Sequence, residues 1–136
     1  MLFKDYTYSV LIVSASEKFA VSIKAYLPEN EFGPVKLVKS AGEARRRLAD
    51  LDFDIVLINT PLADDFGTKL AHDVAVDTKS GVLMFVKADL YDEVTDRVID
   101  FGVFTISKPI SASMVHQVFK IMYAMQERFR SMEKKT

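Results

Sequence analysis

Asp54-Ile55-Val56-Leu57-Ile58-Asn59-Thr60-Pro61-Leu62-Ala63-Asp64-Asp65-Phe66-Gly67 decides how this chain is read. An uninterrupted aliphatic run follows an acidic residue, and the composition then turns to Asn, Thr, Pro, Asp and Gly. A short continuous apolar run bounded by turn residues reads as a strand buried on both faces, not as a half-exposed alternating one. Asn59 stands where that strand stops and the loop begins.

Outward from this strand, apolar runs alternate with helical patterns. Ser9 to Val13 is a first strand and Val35 to Val38 a second; the Asp54–Ile58 run is the third, Gly81 to Val86 the fourth and Val103 to Ile106 the fifth. Helical spacing predicts helices over Glu17–Leu27, Ala41–Leu51, Thr68–Val76 and Tyr91–Asp100, and a long last helix from Ser111 onward. Pro28 stops the first helix, Ser14 or Ser16 caps it, and Phe101-Gly102 ends the fourth. Five β-α units with buried strands predict a doubly wound five-stranded parallel sheet, order 2-1-3-4-5: an α/β, flavodoxin-like (βα)5 fold with an extended C-terminal helix. Residues 1–124 form the domain, and 125–136 prolong the last helix as the possible start of a coiled-coil connector.

Composition narrows the function classes. A chain of 136 residues fits one domain. With no cysteine, disulfides and thiolate metal sites are excluded, and His72 and His116 have no ligand-like spacing, so no metal is expected. A net charge of −1 does not mark the whole chain as a nucleic-acid binder. No apolar run reaches the roughly 18 residues of a membrane span, and Met1 to Tyr6 lacks a signal-peptide layout. A soluble cytoplasmic protein with no membrane contact is the expectation. Neither a Gly-x-Gly-x-x-Gly nor a P-loop is present, so no nucleotide or other cofactor is expected.

In such a sheet, sites lie beyond the carboxyl ends of the strands. Ser14-Ala15-Ser16, Asn59-Thr60, Val86-Lys87-Ala88 and Ser107-Lys108-Pro109 should therefore meet. With these residues in place, the chain resembles a two-component receiver domain over nearly its whole length. The anchors are Ser107-Lys108-Pro109 after the fifth strand, and the third strand with its loop to Gly67. The resemblance implies that Lys108 matches the phosphate-contacting lysine, followed by Pro109, and that Asn59 matches the phospho-accepting aspartate. Ser14 and Ala15 stand where receivers carry two Mg²⁺-binding carboxylates. Val86, or Lys87 one residue on, stands at the Thr/Ser switch position, and Thr105 at the aromatic one.

These departures agree chemically. Mg²⁺ is held by hard oxygen ligands, usually with a carboxylate among them. Aspartyl-phosphate formation needs a carboxylate nucleophile and charge neutralisation. A receiver without these groups is expected not to take phosphate and to need no cofactor. It is expected not to be an enzyme but to act by protein–protein interaction. Asn59-Thr60-Pro61-Leu62, Gly81 to Ala88 and Gly102 to Ser111 further resemble degenerate receivers that precede an ANTAR module, an RNA-binding unit of transcription antitermination. That resemblance implies the N-terminal regulatory domain of an antitermination regulator, with RNA reached only through a module absent from this chain.

The last helix carries Val115, Val118, Met122, Met125, Phe129 and Met132 at spacings of 3, 4, 3, 4, 3, a heptad seam. Either it is a dimerising seam that makes a homodimer, or it is a core helix with a polar tail. Gln126, Arg128, Arg130 and Glu133 read as solvated flanks. A hydrogen bond from Lys108 to the Asn59 amide oxygen is a further expectation. Lys87 either joins Lys108 in a small anion pocket, the alternative function for this fold, or is simply exposed. Asp64 and Asp65 read as an exposed turn or as partners of Lys108, and Arg45-Arg46-Arg47 as a solvated helix face.

Overall fold

In a computed structural model, which describes residues 6–135, the aliphatic run becomes the middle strand of a parallel sheet. It is β3 (Ile55–Asn59), flanked by β1 (Tyr8–Ser14) and β4 (Gly81–Lys87), with β2 (Phe32–Val38) and β5 (Phe104–Lys108) at the edges. The order is β2-β1-β3-β4-β5, as expected. All five residues of β3 are buried, which is why its sequence shows no alternation. Met1 to Asp5, part of the stretch read as lacking a signal-peptide layout, lie outside the described residues, as does Thr136.

Period-two alternation sorts the strand side chains onto two faces. Leu11, Val13, Val56, Ile58, Met84 and Val86 meet α2 (Ala41–Asp50), α3 (Thr68–Asp77) and α4 (Tyr91–Val98). Val10, Ile12, Leu57, Leu83, Phe85 and Ile106 meet α1 (Glu17–Lys24) and α5 (Ala112–Lys135). Serine side chains fix three helix starts. Ser16 Oγ accepts from Phe19 N at 3.1 Å, Ser40 Oγ from Glu43 N at 3.1 Å and Ser111 Oγ from Met114 N at 3.2 Å. Of the two candidate caps for α1, Ser16 is the one used.

Element ends moved by a few residues. β2 starts at Phe32 rather than Val35, because Gly33-Pro34 hides a strand that lies at the sheet edge, where proline is tolerated. Helix α1 ends at Lys24, and the chain turns through Ala25–Tyr26 before Leu27 is buried. β5 runs two residues further than the sequence predicts, making Lys108 its last residue.

Helix α5 divides along its length into a buried part and an exposed part. Val115, Val118 and Met122 are buried against the sheet, whereas Met125, Phe129 and Met132 are 54%, 48% and 68% exposed. The six do not form one contact face. At about 100° per residue Met125 and Met132 are rotated away from the buried residues, whereas Phe129 shares the sector of Val118 and Met122 and is exposed because it lies further along the helix. Residues past 124 still hold to the domain. Gln126 Nε2 donates to the Asp54 carbonyl at 3.2 Å, the Tyr8 and Tyr123 hydroxyls donate to the Glu127 carboxylate, and the Arg130 guanidinium lies 4.0 Å from the Tyr6 ring centre. Gln126 and Arg130 are thus half-buried, not the solvated flanks expected. Burial and the Glu127 carboxylate push the Tyr8 phenol well above its ordinary pKa. Among the described residues no helix is long and apolar enough to cross a membrane.

Candidate functional site

Parallel register brings the strand ends to one place. Ser14 pairs with Asn59, Asn59 with Phe85, and Lys87 with Lys108. Alternation then sends the Ser14, Asn59, Phe85 and Lys108 side chains to the α1/α5 face. Asn59 and Ser14 are buried, at 7% and 2% exposed.

A continuous hydrogen-bond chain runs through them. Lys108 Nζ donates to Asn59 Oδ1 at 2.8 Å and to the Thr60 carbonyl at 2.6 Å. Asn59 Nδ2 donates to Ser14 Oγ at 3.0 Å. Ser14 Oγ donates to the Ser16 carbonyl at 2.8 Å and accepts from Ser16 N at 3.1 Å. An ammonium only donates, so the amide oxygen must face Lys108 and the amide nitrogen must face Ser14. A carboxylate at position 59 could serve Lys108 but could not donate to Ser14.

Lys108 therefore holds a positive charge against neutral acceptors. Its pKa is lowered by burial and, secondarily, by the Lys87 ammonium. The Phe19 ring, stacked edge-on against Phe85, lies 5.8 Å from Nζ. Lys87 is exposed beyond it. Thr60 anchors the loop that follows, since its N–H and hydroxyl both donate to the Phe85 carbonyl, at 3.1 and 2.8 Å.

The remaining candidate residues lie apart from this chain of bonds. Ala15 is exposed in the turn before α1. Val86 is fully buried on the opposite face of the sheet, in the cluster that contains Val94 and Val98. Of the two residues considered for the end of β4, Lys87 follows the parity of the site and Val86 does not. Thr105 also points to the opposite face, where its hydroxyl lies 2.7 Å from that of Thr95 on α4. Pro109 is exposed after a cis Lys108–Pro109 peptide.

Asp64 lies in an exposed turn, one of the two readings of the sequence, and two contacts near the site carry no sequence signal. Asp64 neither reaches Lys108 nor stands free. Its carboxylate accepts from Ala41 N at 2.8 Å and Gly42 N at 3.0 Å, capping α2 from the loop after β3. Those two N–H groups hold its pKa below the usual carboxylate range. Thr60 gives Lys108 a second acceptor through its backbone carbonyl, which no side-chain motif announces. In the basic run, Arg45 pairs with Asp73 of α3 at 3.0 Å. Gly67 adopts φ +120°, and a Cβ there would lie 3.0 Å from Ile58 Cγ2, so the loop closes against β3 only with glycine. Among the described residues no three His, Cys, Asp or Glu side chains gather as cation ligands.

No family model matches the chain, and no curated protein matches its sequence. Solved structures do. A signal receiver domain of an HD domain-containing protein from Pseudomonas fluorescens Pf-5 superposes with a TM-score of 0.80 at 17% identity, over 96% of this chain and 97% of that one. A CheY-like response regulator receiver domain from Methanospirillum hungatei JF-1 gives 0.78 at 22% identity, over 90% and 98%. A streptococcal structure, from a family of redox sensors evolved from two-component response regulators, gives 0.76 at 18% identity, over 91% of this chain and 54% of that one. The chain has the receiver fold.

Proposed function

We propose that this chain is a receiver-fold signalling module that takes no phosphoryl group and acts through protein–protein contact, pairing with a second copy through α5. The observation that carries this reading is the Asn59 side chain, which accepts from Lys108 and donates to Ser14 at the acceptor position. An amide is not a nucleophile toward phosphorus, and both of its ends are engaged. Mg²⁺ does not fit the residues beside it. Ala15 offers a methyl group, and the Ser14 hydroxyl is already bonded to Asn59 and Ser16, where the ion would want carboxylate oxygens.

Signalling would then be conformational. The Thr95–Thr105 hydroxyl pair ties α4 to β5, which supports a face of α4, β5 and α5 that moves as one body when a partner binds. The sequence resemblance to receivers that precede an ANTAR module extends the proposal to the N-terminal regulatory domain of a transcription antitermination regulator, working in the cytoplasm. RNA contact would belong to a module outside this chain.

A second reading has one observation behind it. Lys87 and Lys108 are register partners on one face of the sheet, so the two ammonium groups suit a small anion. Thermal shift against phosphate and sulfate tests it, and stabilisation that Lys87→Ala removes would favour it. For the main reading, the chain is incubated with acetyl phosphate and Mg²⁺ and weighed intact, and its solution mass is taken by light scattering. An unchanged covalent mass and a two-chain particle are expected. A phosphorylated chain or a strict monomer would count against it.

A further inference from the structure

Met114, Ile121, Met125 and Met132 leave the surface of α5 as one apolar line. They are 50%, 40%, 54% and 68% exposed, and with 3.6 residues per turn they lie within about 20° of a common line along the helix. This line is not the heptad seam of the sequence, half of which is in the core. Its spacings are 7, 4 and 7, which read the same from either end.

Resting on the homodimer reading above, we infer that the second copy packs on this line antiparallel. A two-fold axis crossing α5 level with Tyr123 lays Met114 on the partner's Met132 and Ile121 on the partner's Met125. Every exposed apolar residue of the line then meets an apolar residue, over about 27 Å of helix.

Charge selects the same direction. Arg128 is exposed beside the line, between the levels of Met125 and Met132. A parallel pair sets Arg128 level with the partner's Arg128 in the same apolar layer, and like charges in contact oppose association. In the antiparallel pair Arg128 lies level with the partner's Val118, flanked by the uncharged Gln117. The two guanidinium levels are then about 15 Å apart along the helix, roughly two Debye lengths at physiological salt. The two C-terminal ends of α5 point in opposite directions. Any segment that follows in the two copies would leave from opposite ends of the interface, not along a shared coiled coil.

The chain has no cysteine, so introduced thiols report the geometry without background. Met132→Cys alone and Met114→Cys/Met132→Cys together are treated with a short bis-maleimide and run under denaturing conditions. The double variant is expected to form a covalent dimer and the single variant to remain one chain. A covalent dimer from Met132→Cys alone overturns the antiparallel arrangement while leaving the homodimer standing. A two-chain particle that neither variant cross-links overturns the line as the interface. A natural chain that scatters as a monomer overturns the homodimer reading itself.

Discussion

The Lys108 ammonium is bonded to the side-chain oxygen of Asn59 at 2.8 Å, across the ends of β5 and β3. It finds there an acceptor that carries no charge. The same amide reaches Ser14 on the far side, so three strand ends are joined through one side chain.

Replacing Lys108 by Met should destabilise the fold. Asn59 Oδ1 and the Thr60 carbonyl are both buried and would lose their donor, at a cost of about 1–3 kcal/mol, measurable by urea denaturation. The natural chain should also show a specific alkaline behaviour. Lys108 has a lowered pKa in the folded state, so the unfolded chain binds more protons between the folded and unfolded values. Stability should therefore rise with pH through that window relative to Lys108→Met. A flat difference between the two would contradict the burial of the charge.

Asp64 should confer acid sensitivity on the loop after β3. Its folded pKa is depressed by the Ala41 and Gly42 N–H groups. The cap is fully formed above the ordinary carboxylate value and is lost as pH falls through the depressed one. Asp64→Asn should flatten this part of the acid stability profile, as read by thermal unfolding at a series of pH values.

Met122 and Met125 are three residues apart and should behave oppositely. Met122→Ala opens a cavity under the sheet and should cost about 2–5 kcal/mol. Met125→Ala, at a position exposed on the single chain, should change the stability of the monomer by no more than about 0.5 kcal/mol. Met125→Glu should leave the fold intact and convert the two-chain particle to a monomer by light scattering.

Gly67→Ala should destabilise the chain even though the added group is a single methyl. The φ of +120° and the approach to Ile58 impose strain of about 1–3 kcal/mol. Chemical denaturation should show it as a lower midpoint at an unchanged slope.

Sheet order and the meeting of Asn59 with Lys108 were legible in the sequence, because five apolar runs at βα spacing leave little topological choice. What the sequence hid depended on directions that composition does not record. The apolar runs of β3 and β4 carry no alternation, so the parity that turns Val86 away from the site could not be read from them. Ser14 read as a missing carboxylate, and its hydrogen bond to Asn59 depends on the β1–β3 register. The cap from Asp64 to α2 spans 22 and 23 residues of sequence and follows no local pattern. Along α5, composition does not record where the sheet stops covering the helix: Val118, Met122 and Phe129 share one sector at about 100° per residue, yet Val118 and Met122 are buried and Phe129 is exposed.

On the proposed function, phosphoryl transfer is blocked at three positions, Ser14, Ala15 and Asn59, and not at Asn59 alone. Asn59→Asp restores the nucleophile and leaves Ser14 and Ala15 in place of the metal carboxylates. The decisive measurement is the intact mass of Asn59→Asp after incubation with acetyl phosphate and Mg²⁺. An unchanged mass is predicted, because the charge of the transferring group would still have no Mg²⁺ to neutralise it. The gain of one phosphoryl group on Asn59→Asp would contradict the claim and make Asn59 the single lesion.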